Sequence, residues 1–398
     1  VLFNLIAALS RRIGFNLNII FFALVLVMGG VTPKHDVRTI SQSLNSHPCI
    51  STETFVNCWL ENPVRKSSIN NSNSSNPYIA YIILNDGGGA RAATWSTWVM
   101  SKLDDTTNGK FSEHLFAMAG ASGGSVGNTA FYGLLKSKNG SKDKLVPHAY
   151  SFFRNDFLTY TLGSFFGTDF ISYFIPFNVI EDRAAALENT FEFKNNDPRI
   201  AHFFASAADT AFDYEGKLPA LFINVTDVKY GITSIVSNVT LKDKSHINLL
   251  DSLHIKSQQT LRVSTCAILS ARFPYISPAG RLNNRYYVDG GYFDNSGAGT
   301  ITSFMEEVYK VLPTEYKEKI EFRIIELHNG KPYNEENYKM HPLTNDLLAT
   351  VITLIGVQNA STETANRHLF NYMSSKNSNS QRFSLNLYSD TTKEEYPM

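Results

Sequence analysis

At 398 residues with 43% hydrophobic content, the chain is long enough to bury a large core and is not compositionally disordered. Lys plus Arg equal Asp plus Glu at 36 each and no long basic run occurs, so the footprint of a nucleic-acid binder is missing and nucleic acid is not an expected partner. The three cysteines, Cys49, Cys58 and Cys266, are too few for a disulfide scaffold and are not spaced as zinc ligands; Cys49 and Cys58 can pair with each other or remain free thiols.

The chain opens at Val1 rather than at a methionine, as a piece of a longer protein would. Val1 to Leu9 is apolar, Arg11 and Arg12 interrupt it, and Ile13 to Val31 then runs without a charge. At about 1.5 Å per residue that second run reaches roughly 28 Å, so residues 1–31 are expected to be transmembrane. Gly29-Gly30-Val31 makes a poor small-x-small cleavage site, which favours a retained anchor over a signal peptide. The Arg11-Arg12 pair predicts a cytoplasmic turn and puts the rest of the chain on the non-cytoplasmic side, although Lys34 and Arg38 run against that orientation. From Thr32 to Asn76 no clear period appears, and Ser67 to Asn76 is a Ser/Asn tract, so 32–76 is expected to be a linker.

A folded domain is expected over 77–391. Pro77 to Leu84 predicts a buried strand ending at Asp86-Gly87-Gly88-Gly89-Ala90-Arg91, and Trp95, Trp98 and Val99 fall at helical spacing over Ala92 to Leu103. A second strand-turn-helix unit follows from His114 through Ser122 to about Leu135. Two such units in succession predict a parallel α/β sheet. Ser151 to Phe177 is unusually aromatic, as a lipid-facing lid or a packed core would be. Leu218 to Val228, Ile320 to Leu327 and Arg382 to Tyr388 predict further strands, Thr260 to Ser270 a helix, and Leu343 to about Tyr372 a long amphipathic one.

Three motifs carry the chemistry. Gly120-Ala121-Ser122-Gly123-Gly124 fits the G-x-S-x-G elbow, in which a serine stands exposed between a strand and a helix; Ser122 is the candidate nucleophile. Gly87-Gly88-Gly89 offers consecutive amides with no side chains in the way, suited to an oxyanion. Val288-Asp289-Gly290-Gly291 places a carboxylate after a short apolar run, and Asp289 is the candidate base.

Together and in this order, the three motifs resemble those of the patatin-like phospholipase family, from about Ile79 to Asn295. Ser270-Ala271-Arg272-Phe273-Pro274 and Ser277-Pro278-Ala279-Gly280 resemble a bacterial membrane-anchored branch, which would put the chain in a bacterial inner membrane. The resemblance implies a three-layer α/β/α fold with a mostly parallel central sheet. It also implies hydrolysis of lipid esters at a membrane by a Ser-Asp dyad, with no cofactor and no metal. Ser122 would be nucleophile and Asp289 base, with Gly87, Gly88, Gly89 and Arg91 at the oxyanion hole. Two alternatives stand beside it: an α/β-hydrolase triad of Ser122, Asp289 and His328, and a membrane-tethered module that binds lipid without turnover.

Overall fold

The computed structural model describes residues 2–31, 35–42, 49–138, 143–169, 172, 181–193, 196–273, 277–330 and 360–387. Its first two helices are α1 (Leu2–Ile13) and α2 (Leu17–Val31). The continuous span expected from Ile13 to Val31 is broken at Gly14, which turns to a φ of 71°. Ser10 stitches the corner, its Oγ donating to Ile6 O at 2.7 Å and accepting the Leu17 N–H at 3.0 Å. The 15 residues of α2 therefore reach only roughly 22 Å, and no helix among the described residues is long and apolar enough to cross a membrane.

The expected linker is largely folded. Helices α3 (Thr52–Glu61) and α4 (Pro63–Asn70) are each started by a side-chain cap, from Ser51 and Asn62. Phe55, Val56, Trp59 and Leu60 of α3 are buried in the core. Trp59 Nε1 donates to Leu115 O at 3.2 Å, and the buried Arg65 guanidinium reaches Gly216 O and Lys217 O at 2.8 and 2.6 Å. Polar composition concealed this because α3 is short and α4 buries an arginine whose three guanidinium nitrogens each donate to a carbonyl.

Among the described residues nine strands form one sheet: β1 (Tyr78–Asn85), β2 (Leu115–Gly120), β3 (Ala220–Asp227), β4 (Ile232–Ser237), β5 (Ile247–Asn248), β6 (Gly280–Leu282), β7 (Arg285–Asp289), β8 (Ile320–His328) and β9 (Arg382–Asn386). β3, β2, β1, β8 and β9 lie side by side and parallel, whereas β4 and β7 pair antiparallel with β3. Helices α5 (Gly89–Thr106), α6 (Ser122–Lys138), α7 (Arg183–Phe193) and α8 (Val263–Ser270) pack on the face that carries Ile83, Met118 and Ile223. Helix α3, α9 (Ala298–Val311) and a helix over 360–376 cover the other face, with Ile82, Leu84 and Phe222. Alternate residues of the same strands serve opposite helical layers, which is why these strands read as continuous apolar runs. The first half of the long helix expected from Leu343, residues 343–359, lies outside the described residues.

Strand β3 sets the position of the site. Its first half pairs with β2, ending at Gly120 opposite Ile223, while β4 runs along its other edge from Phe222 to Asp227. The second half of the β2 edge is taken by β7, with Asp289 opposite Val225. Two residues of β3, roughly 7 Å, thus separate the end of β2 from Asp289. The chain turns into α6 at this gap.

The aromatic stretch divides. Phe152, Phe153 and Phe157 pack with Phe191 and Phe204 in the core, Phe157 on Phe191 at 4.9 Å, whereas Tyr160, Phe165 and Phe166 are exposed. Phe170, Tyr173, Phe174 and Phe177 lie outside the described residues. Cys49, Cys58 and Cys266 are all free; Cys49 donates to Ser237 O rather than bonding to Cys58.

Candidate active site

Ser122 occupies the first position of α6 with a φ of 51°, a left-handed conformation that costs a non-glycine residue about 1–2 kcal/mol. Such strain persists where the surroundings over-determine it, and it leaves the serine half-buried at a helix N-terminus. Two motif glycines make the surrounding convergence possible. A Cβ on Gly123 would fall 2.0 Å from Gly89 O, and one on Gly290 would fall 2.1 Å from Asn224 O. The elbow therefore packs backbone to backbone on the glycine loop, and the aspartate motif packs on the β3 backbone at Asn224 and against the Ala121 methyl of the elbow. Ser125 is wholly buried, and its Oγ donates to Gly120 O at 2.6 Å, a structural duty.

Asp289 is 2% exposed at the end of β7. Its Oδ1 accepts the Gly291 N–H at 2.8 Å, while the buried Oδ2 makes no hydrogen bond of good geometry among the described residues. Burial raises its pKa to about 6, with the Ser122 hydroxyl and the Gly291 N–H drawing it partly back. The carboxylate is thus ionised at neutral pH yet more basic than an exposed aspartate, and it faces Ser122.

The glycine loop departs from expectation at one position. The Gly87 N–H is engaged by Asn295, at 3.2 Å from both O and Oδ1, and is not available to a substrate. The Gly88 and Gly89 amides are exposed and carry no hydrogen bond among the described residues. Asn329 Nδ2 holds Gly87 O at 2.8 Å from behind; since carbonyl and N–H point opposite ways in a trans peptide, the Gly88 N–H of that unit is turned forward. Arg91 Nη2 donates to Asn329 Oδ1 at 3.3 Å, so it braces the loop through Asn329.

His328 does not join these groups as a triad requires. Its Nδ1 lies 2.6 Å from Asp86 Oδ2 and its Nε2 3.3 Å from Glu326 Oε2. Burial opposes the charge, but the two carboxylates outweigh it and raise the pKa to about 10, leaving an imidazolium with no lone pair for a serine proton. Asp289 is not its partner.

A sequence model of the patatin-like phospholipase family matches residues 85–301, more than half of the 398-residue chain, and the match contains all three motifs. The chain belongs to the patatin-like phospholipase family. Lipid acyl hydrolysis is the general activity that this membership supports. Solved structures similar to it include VipD from Legionella pneumophila, at 12% identity and a TM-score of 0.26, covering 69% of this chain and 53% of that one. Another is ExoU of the Pseudomonas aeruginosa type III secretion system, solved in complex with SpcU, at 12% identity and a TM-score of 0.25, covering 87% of this chain and 60% of ExoU. No curated protein matches. Sequence reasoning missed Asn295 and Ser270, inside the matched region, and Asn329, beyond it, as site residues. Ser270 lies in a stretch quoted for the resemblance, but nothing in a lone polar residue announces a partner more than a hundred positions away.

Proposed function

We propose that this patatin-like phospholipase hydrolyses fatty acyl esters through a covalent acyl-enzyme on Ser122, with Asp289 as its base. Asp289 Oδ2 takes the Ser122 proton as Oγ attacks the ester carbonyl, and the oxyanion forms against the Gly88 and Gly89 amides at the positive ends of α5 and α6. Collapse expels the alcohol, protonated by Asp289, and leaves the acyl group on Oγ. Water, deprotonated by Asp289, then releases the fatty acid and restores the serine. The observation that carries this reading is the buried Asp289 carboxylate, with one oxygen fixed by the Gly291 N–H and the Ser122 hydroxyl close enough to draw its raised pKa partly back.

The test is hydrolysis of a panel of phospholipid, lysophospholipid, galactolipid and neutral glyceride, read by mass spectrometry. The wild type should release free fatty acid from at least one class and Ser122→Ala from none; fatty acid release at the wild-type rate by Ser122→Ala would sink the mechanism. No turnover of any ester, together with vesicle binding, would favour the non-catalytic lipid-binding module.

Membrane attachment through the N-terminal helices belongs to the same proposal. Ile19, Phe22, Leu24 and Val27 of α2 are each more than half exposed, an apolar surface that water does not favour and a bilayer would cover. A catalytic domain on the non-cytoplasmic side of a bacterial inner membrane rests on the Arg11-Arg12 pair alone, since no helix among the described residues is long and apolar enough to cross. Protease added to spheroplasts should digest it; protection until lysis would reverse the orientation.

A further inference from the structure

Ser122 and Asp289 reach the site from segments far apart in sequence, yet their backbone N–H groups end on the same turn. The Ser122 N–H donates to Ser270 Oγ at 3.0 Å, and the Asp289 N–H donates to Arg272 O at 3.1 Å. Ser270 closes α8 and is wholly buried, its Oγ donating in turn to Asn224 O at 2.5 Å. A carbonyl only accepts and an amide N–H only donates, so the direction of this relay is fixed: the hydroxyl spends its one proton on Asn224 and offers a lone pair to Ser122. Asn224 lies on β3, the strand that also seats β7 and therefore Asp289.

The turn itself is clamped. Arg272 is 1% exposed, with Nη1 at 3.2 Å from Asp182 Oδ2 and 3.1 Å from Pro278 O, and Nη2 at 3.9 Å from Glu188 Oε1. A guanidinium held by carboxylates on one side and a carbonyl on another leaves the Ser270–Arg272 backbone little room to shift.

We propose that the turn Ser270–Arg272 is the positioning unit of the dyad, with Ser270 the positioning residue that holds the strained Ser122 backbone in register with Asp289. Ser270 touches no substrate. It acts by pairing an N–H that would otherwise be left unmet at the elbow, and by tying that N–H to the strand on which Asp289 is registered. The inference rests on the Ser122–Asp289 mechanism.

The experiment uses the full chain, p-nitrophenyl butyrate as substrate and a fluorophosphonate as active-site label. Ser270→Ala removes the relay and Ser270→Cys keeps the volume but supplies a poor acceptor. Both should lower kcat by roughly 10- to 100-fold, the cost of a misplacement of about 1 Å or less. KM should stay within about twofold, and labelling should slow in proportion to kcat. The same loss in Ser270→Cys, with its thermal midpoint unchanged, separates misalignment from partial unfolding. Wild-type kcat and labelling rate in either folded variant would overturn the positioning role while leaving the dyad standing, provided Ser122→Ala is inactive. Activity in Ser122→Ala would overturn both.

Discussion

Asp86 Oδ2 lies 2.6 Å from His328 Nδ1, which ties the end of β8 to the residue that opens the glycine loop. His328 is therefore a cation that braces the loop, and its contribution has a defined pH window. Its folded pKa is raised from 6.5 to about 10, so the stability it adds is complete below pH 6.5 and is lost as pH rises through about 10. The urea midpoint of His328→Gln should fall furthest below wild type at pH 6 and converge with it near pH 10.5. The acid limb of the rate profile should survive in this variant; its disappearance would restore histidine as the base.

Asp289 behaves in the opposite sense for activity. With a pKa raised from 3.8 to about 6, kcat/KM should rise with pH along a limb near pH 6 and level off above it. Asp289→Asn should abolish that limb and lower kcat by roughly 10²- to 10⁴-fold.

The same shift makes Asp289 a stability cost. Because the folded state favours its protonated form, its contribution is favourable below pH 3.8 and is lost as pH rises through 6. Ionised at pH 8, it costs up to about 3 kcal/mol, taken from a shift of about 2 units at about 1.4 kcal/mol each. Asp289→Asn should therefore be more stable than wild type at pH 8 and indistinguishable from it at pH 4. Equal stability at both values would show that the carboxylate is not desolvated.

Much of the fold was legible because its strands are apolar runs between glycine-rich turns: Tyr78–Asn85, Leu115–Gly120, Ala220–Asp227 and Ile320–His328 all fall within a residue or two of where the pattern put them. Ser122, Asp289 and the triglycine were legible because close backbone approach demands glycine, and glycine clusters are visible. Asn295 and Asn329 were not, since a single amide reveals nothing about which carbonyl or N–H it will meet after folding. Arg65 misled for a related reason: a buried arginine satisfied by carbonyls looks, in sequence, like a solvated one. The break at Gly14 escaped because hydropathy sums residues and is blind to one turn residue with a serine stitch.

Close packing of the loop on the elbow gives a steric prediction. Gly123→Ala would drive a methyl to 2.0 Å from Gly89 O and displace the amides proposed to bind the oxyanion, so kcat should fall by about 10²- to 10³-fold, as for loss of an oxyanion donor. Gly231→Ala is the comparison, with a φ of +62° and open space around it. It should cost about 1–2 kcal/mol of stability through backbone strain and leave turnover per folded molecule unchanged. Equal kcat in the two variants would break the link between Gly123 and the loop.

The exposed face of α2 can be tested without chemistry. Phe22→Asp and Leu24→Asp place charges where apolar side chains stand 54% and 55% exposed. Both should reduce co-sedimentation with phosphatidylglycerol/phosphatidylethanolamine vesicles severalfold while hydrolysis of a soluble ester is retained. Undiminished vesicle binding would assign attachment elsewhere.

The central claim is that acyl transfer passes through Ser122. Fluorophosphonate labelling of the wild type, followed by proteolysis and mass spectrometry of the adduct, tests it most directly. The account predicts a single adduct on Ser122, absent from Ser122→Ala and retained in Ser125→Ala. An adduct on another residue, or full labelling of Ser122→Ala, would contradict it.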